Sequence, residues 1–301
     1  MDCVLKTRNL TKTFGEKSAV KNINMIINKG DIYGLIGKNG AGKTTLMRLI
    51  LSLATPTSGD VELFGSNNFV DSRGKVGSLI ESPGYYKGCT ARENIIRFAS
   101  LYGVAPEDAI AMLVKVGLKD VVDVKVSKFS LGMKQKLGIA IALLGSPEFV
   151  ILDEPVNGLD PEGMVEIRNL IQKLNRDDGV TFLISSHLLG ELSKAATRYG
   201  IIKDGELIEE FSLDENSMND SYNIIMKVDS PETAAAALTV RMPELKFKVD
   251  KDKIIINSTK DVCGEVNTLF VKDFDIVVHR IEVESKTIED YFLERVGVFN
   301  E

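Results

Sequence analysis

Gly37-Lys38-Asn39-Gly40-Ala41-Gly42-Lys43-Thr44, with Thr45 directly behind it, has the spacing of a phosphate-binding loop: a glycine, four residues, then Gly-Lys-Thr. Glycines let successive backbone N–H groups curl around an anion without Cβ atoms in the way. In such a loop Lys43 places a point charge between the β- and γ-phosphates, and Thr44 offers its hydroxyl to Mg²⁺. The flanks agree. Asp31 to Ile36 reads as a buried strand entering the loop, and Thr45 to Ile50 as a helix leaving it with its positive dipole end toward the phosphates. The alternative, a glycine-rich strand–helix turn that binds nothing, does not account for a full match in this context. The chain is expected to bind a nucleotide.

A second acidic element stands downstream. Phe149-Val150-Ile151-Leu152 is wholly apolar, as expected of a central parallel strand buried on both faces, and it ends in Asp153-Glu154. A carboxylate at the C-terminal end of a strand beside a phosphate loop is where Mg²⁺ needs a ligand, and Asp153 fits. Glu154, pointing the other way or lying past the strand end, fits a general base for the attacking water. Between the two elements, Ser130 reads as the cap of a following helix, and Gly132 would allow close backbone approach at its N-terminus. That makes a second anion site, which a head-to-tail dimer could set opposite the loop of another copy.

The remaining chain bounds the function. Its 301 residues allow two domains, and with 44% hydrophobic and 27% charged residues the balance is that of an ordinary globular protein. A net charge of -6 argues against a nucleic-acid partner. No run approaches the length of a membrane-spanning helix, and Met1 to Lys6 lacks the pattern of a secretion signal, so a cytoplasmic chain reaching the membrane only through a partner is expected. Cys3, Cys89 and Cys263 show no metal or disulfide spacing and read as reduced thiols.

Along the chain, Cys3 to Asn9 alternates as a strand, Leu10 to Gly15 reads as a turn, and Ala19 to Asn28 as a second strand. Strands follow at 60–64 and 76–81. From about 88 to 146 the period is helical, with segments at 92–102, 106–116 and 131–144 and Thr90 as a cap, a helical insertion in an α/β domain. Beyond Glu154 the expectations are a helix from Pro161 to Asn175 capped by Asp160, a strand from Val180 to Ser185, and a helix from Leu188 to Ala196. Two strands then meet at the Lys203-Asp204-Gly205 hairpin. Residues 213–221 turn polar and read as a linker. Residues 222–301 then run strand–helix–strand–strand–helix–strand, the order of a ferredoxin-like unit, with a last amphipathic helix at 287–296 carrying Ile288, Tyr291 and Phe292.

Taken in order, the phosphate loop, Phe129-Ser130-Leu131-Gly132-Met133, Asp153-Glu154-Pro155, Gly158-Leu159-Asp160 and His187 resemble the ATPase subunits of ATP-binding cassette (ABC) transporters, over residues 1–212. The resemblance implies an ABC-type P-loop fold, a mixed sheet with a helical subdomain, joined to a small α+β C-terminal domain. It implies ATP and Mg²⁺ as ligands, a second nucleotide-binding domain and transmembrane permease subunits as partners, and a peripheral place at the cytoplasmic membrane face. Carried over residue by residue, Phe14 stacks on adenine. Gly37, Asn39, Gly40, Ala41, Gly42, Lys43, Thr44 and Thr45 hold the phosphates. Ser130 and Gly132 contact the γ-phosphate of ATP bound to the other subunit, and Asp160 lies at the dimer seam. Lys43, Glu154 and His187 are catalytic, His187 touching the γ-phosphate and positioning water with Glu154. Thr44, Asp153 and Glu81 serve Mg²⁺, partly through water. His279 reads as a core or surface histidine, and packing is an alternative for Phe14.

Two departures from the family pattern stand out. Leu131 and Met133 replace a glycine and a glutamine of the signature. Glu81 stands where most members carry glutamine, which adds an acceptor-only, negative side chain near the phosphates. Glu81 with Ser82-Pro83-Gly84-Tyr85-Tyr86 resembles the bacitracin-export and lantibiotic-immunity branch. The expected function is the ATPase of a peptide-antibiotic exporter. The alternatives are the same machine with a drug, lipid or polysaccharide cargo, and a soluble ABC protein without a membrane partner.

Overall fold

The computed structural model describes residues 2–81, 84–187, 195–212, 222–258 and 260–285. The chain divides into two compact units, Met1–Ser212 and Leu213–Glu301.

The first unit is built on a six-stranded sheet that contains β3 (Ile32–Ile36), β5 (Val76–Leu79), β6 (Phe149–Leu152), β7 (Thr181–Ser186), β8 (Arg198–Lys203) and β9 (Glu206–Ser212) in the order β5-β6-β7-β3-β8-β9. All neighbours are parallel except β9, which returns antiparallel through the Asp204-Gly205 turn. Residues of β3, β6 and β7 are buried throughout, as expected of predominantly apolar strands covered on both faces. A smaller antiparallel sheet, order β2-β1-β4, is formed by β1 (Cys3–Phe14), β2 (Lys17–Asn28) and β4 (Ser58–Leu63). One core joins the two sheets: Leu5, Ile27 and Leu63 pack with Leu35, Met47 and Phe149.

Helix α1 (Lys43–Ile50) leaves the loop after β3 and buries Leu46, Met47, Leu49 and Ile50. The four-residue α2 (Phe69–Ser72), capped by Asn68, was not anticipated. Helices α3 (Ala91–Tyr102), α4 (Pro106–Lys115) and α5 (Leu131–Ala142) intervene between β5 and β6, and α6 (Pro161–Asp178) between β6 and β7. Thr90 caps α3 in a full capping box with Glu93, Ser130 caps α5, and Asp160 caps α6 with Pro161 in the first turn. Strand β5 approaches the end of α5 so closely that a Cβ on Gly77 would lie 1.9 Å from the Ala142 carbonyl oxygen.

One local reading needs correction. The turn expected at Leu10 to Gly15 is strand, because β1 runs on to Phe14. Asn9 takes a left-handed φ of 48° and the pairing with β2 shifts register between Thr7 and Leu10. Such a bulge breaks the alternation of side chains that marks a strand in sequence.

In the second unit, β10 (Tyr222–Val228), α7 (Pro231–Arg241), β11 (Lys246–Asp250), β12 (Lys253–Ser258), α8 (Cys263–Thr268) and β13 (Val278–Ser285) follow one another, and α8 runs into a π-helical turn at Leu269–Asp273. The sheet order is β11-β12-β10-β13, antiparallel throughout. Ile224, Met226, Ile254 and Ile256 on one face pack with Ala234, Leu238, Val266 and Phe270. The linker at 213–221 and the last helix at 287–296 lie outside the described residues, as does most of the helix expected at 188–196. Among the described residues no helix is long and apolar enough to cross a membrane.

Candidate functional site

Three strand ends meet at one edge of the large sheet. Strand β3 runs into the phosphate loop, β6 ends before Asp153 and Glu154, and β7, lying between them, ends in Ser185 and Ser186 with His187 directly after. The C-terminal edge of a parallel sheet is where such folds bind ligands. Here the loop is held to its neighbour by the Gly37 N–H bond to the Ser186 carbonyl oxygen, at 3.3 Å.

Close approach dictates the glycines. A Cβ on Gly37 would meet the Ile202 carbonyl oxygen at 2.4 Å, and one on Gly42 would meet that of Ala19 at 2.3 Å. Gly42 also has φ 109°, where an L side chain is strained, and its own carbonyl accepts the Leu46 N–H to start α1.

Lys43 is buried. Its Nζ donates to the Gly37 carbonyl oxygen at 2.6 Å and sits 3.1 Å from Glu154 Oε1. Thr44 Oγ1 donates to Asp153 Oδ2 at 2.7 Å, and Ser185 Oγ donates to Asp153 Oδ1 at 2.5 Å. The same serine oxygen accepts the Glu154 N–H at 2.8 Å. Glu154 lies past the end of β6 with a left-handed φ of 50°, and its Oε2 is 2.7 Å from His187 Nδ1. The turn at Glu154 sends its carboxylate toward Lys43 and His187, while Asp153 reaches Thr44.

A cavity of about 810 Å³ opens over the loop. Lys38, Asn39, Gly40, Gly42, Lys43, Thr44, Thr45 and Glu154 line it, together with Phe14. Phe14 is 56% exposed, and Lys12 Nζ, itself donating to the Thr55 carbonyl oxygen, lies 5.0 Å from its ring centroid. Gly37, Ala41, Asp153 and His187 are not part of the lining, nor are Ser130, Gly132, Asp160 and Glu81. The Ser130 hydroxyl accepts the Met133 N–H and the Asp160 carboxylate accepts the Gly163 N–H, so within one chain both serve as helix caps. Glu81, at φ 62°, is ion-paired with Arg48 of α1.

Several participants escaped sequence reasoning. Lys17, Asp204 and Gly205 line the cavity, and Arg48 supplies the counter-charge for Glu81. No local pattern announces such distant contacts. Ser185 did leave a signal: a hydroxyl ending a wholly buried strand must find hydrogen-bond partners.

Fold and loop together define a P-loop nucleotide-binding protein. The family model described as ABC transporter matches residues 20–157. The chain is 40% identical to the bacitracin transport ATP-binding protein BcrA of Bacillus licheniformis, covering 99% of this chain and 98% of that one. It is 43% identical to the lantibiotic transport ATP-binding protein SrtF of Streptococcus pyogenes, over 70% of this chain and 92% of that one. Among solved structures, a dimeric bacterial ABC transporter cassette superposes with a TM-score of 0.63 at 29% identity, covering 70% of this chain and 99% of that one. A dimeric post-hydrolysis cassette bound to ADP and Pi gives 0.61 at 27%, with coverage of 70% and 99%. The chain belongs to the ATP-binding subunits of ABC transporters. It is an ATPase, and ATP is the nucleotide it binds.

Gly42→Ala tests the loop geometry. The left-handed strain of roughly 1–2 kcal/mol alone corresponds to about a tenfold loss of affinity, and the contact with Ala19 adds to it. Titration with a fluorescent ATP analogue should show at least that loss; unchanged affinity would contradict the loop described.

Proposed function

We propose that this chain drives the export of a peptide antibiotic, of the bacitracin or lantibiotic kind. Two copies of it would work against separate permease chains at the cytoplasmic face of the membrane. The observation that carries the reading is its 40% identity to a bacitracin transport ATP-binding protein over nearly the whole of both chains. In it, residues 1–212 are the nucleotide-binding domain, with 88–146 as helical subdomain. Residues 213–221 are the linker, and 222–301 are a ferredoxin-like accessory domain that stabilises the dimer. The β11-β12-β10-β13 order supports that last assignment.

ATP lies with adenine against Phe14 and its phosphates in the loop. Water attacks the γ-phosphorus in line, the bond to the β–γ bridging oxygen breaks, and ADP and inorganic phosphate result. Glu154 takes the proton of the attacking water. His187, 2.7 Å from that carboxylate, orients it and touches the γ-phosphate. Lys43, now 3.1 Å from Glu154, is near enough to neutralise phosphate charge. Ser130 and Gly132 of a second copy complete the γ-phosphate contacts, with Asp160 at the seam.

Mg²⁺ fits the hydroxyl and carboxylate oxygens that Thr44 and Asp153 bring together. It would supply charge neutralisation on the phosphate oxygens. Glu81, balanced by Arg48, takes the place of the sensor that reports occupancy to the permease.

Two outcomes are expected. Glu154→Gln should slow ATP turnover by roughly 10²–10⁴ while nucleotide binding persists; unchanged hydrolysis would remove Glu154 from its role. A strain lacking the gene, tested against a panel of antibiotics, should become sensitive to bacitracin or a lantibiotic. Sensitivity confined to non-peptide compounds would refute the cargo class.

A further inference from the structure

Strand β7 separates the strand that carries the phosphate loop from the strand that carries the acidic pair. Its residue Ser185 is fully buried, pairs with Leu35 of β3 in register, and does not line the cavity. A serine hydroxyl has one proton to donate and lone pairs to accept. Here the proton goes to Asp153 Oδ1 at 2.5 Å, and the oxygen accepts the Glu154 N–H at 2.8 Å.

Two constraints follow from one atom. Asp153 is gripped on both oxygens, by Ser185 and by Thr44, so its carboxylate plane is held. Glu154 is pinned at its N–H in the left-handed backbone conformation, φ 50°, that a residue other than glycine leaves unless its surroundings hold it. From that conformation its carboxylate reaches Lys43 and His187.

We propose that Ser185 is a positioning residue for ATP hydrolysis, one hydroxyl that locks Asp153 and Glu154 into register across the sheet. The proposal rests on the reading of Glu154 as the base. Without the hydroxyl, the half-buried Glu154 N–H loses its partner, an extended backbone competes, and the carboxylate swings from the water it must deprotonate. ATP is held by other residues, so the loss falls on turnover rather than binding.

The test is steady-state ATP hydrolysis and urea unfolding of the full chain carrying Ser185→Ala, Ser185→Thr, Ser185→Cys, Thr181→Ala, Glu154→Gln, or Ser185→Ala with Glu154→Gln. Thr181 is the control: it is equally buried on the same strand, and its hydroxyl accepts the Gly30 N–H at 3.0 Å, at the end away from the site. Ser185→Ala should lower kcat about 10- to 100-fold, since small misplacements of a reacting group cost that much. KM for ATP should stay within about threefold. Ser185→Thr should recover most of kcat. Thr181→Ala should lower the urea midpoint comparably with kcat unchanged. In the Glu154→Gln background Ser185→Ala should cost clearly less than it does alone, because the part of its effect that runs through Glu154 is already lost.

Normal kcat in Ser185→Ala beside an inactive Glu154→Gln would overturn this inference alone, as would losses that multiply in the double variant. Full turnover in Glu154→Gln would overturn the base assignment and the inference with it. If Ser185→Ala does not fold, Ser185→Cys decides: it keeps the volume while weakening both bonds, so wild-type kcat there overturns the proposal.

Discussion

Negative charge must be concentrated at one edge of the large sheet, and the repulsion this creates is the constraint that the surrounding structure answers. On the proposed reading a triphosphate lies against Asp153 and Glu154. Two like unit charges 4 Å apart repel by about 4 kcal/mol at an effective dielectric of about 20, so several such pairs would expel the nucleotide unless offset. Lys43 stands 3.1 Å from Glu154, and α1 begins at Lys43, which sets the positive end of its dipole at the loop. Asp153 has its charge spread into bonds from Thr44 and Ser185. Glu81, past the end of β5, is ion-paired with Arg48 of α1.

Strand order makes these answers geometrically compatible. Because β7 lies between β6 and β3, the strands that carry the loop and the acidic pair flank a common neighbour. The intervening strand then supplies Ser185 below the site and His187 beside it. Parallel pairing aligns all three C-terminal ends at the same edge, and the buried hydroxyls of Thr181 and Ser185 on β7 are tolerated because each has hydrogen-bond partners.

This arrangement is legible in the sequence wherever a local rule is strong. The loop's glycine spacing, the apolar run ending in Asp153, and the caps Thr90, Ser130 and Asp160 each state a local geometry, and each is found. Legibility ends where contacts are distant or the backbone departs from its period. Asn9 shifts the register of β1 and disguises the strand that carries Phe14 to the cavity. Glu154 breaks alternation with a left-handed turn, so both carboxylates face the loop region although they are adjacent in sequence. Lys17, Asp204 and Gly205 become cavity wall only because β2 and the β8–β9 turn pack beside the loop.

Ser130 and Gly132 do not line the cavity that holds Lys43 and Thr44. On the proposed reading they belong to the nucleotide of another copy, so one chain carries two halves of two different sites. The direct measurement is ATP hydrolysis by mixtures of two inactive variants, Lys43→Ala and Ser130→Arg, reconstituted with the permease. In a mixed pair, one site combines both lesions and the other combines the intact loop with the intact serine. The account predicts that mixing restores activity, approaching about a quarter of the wild-type rate for random pairing of shared sites. Activity that stays at the level of the separate variants would contradict it.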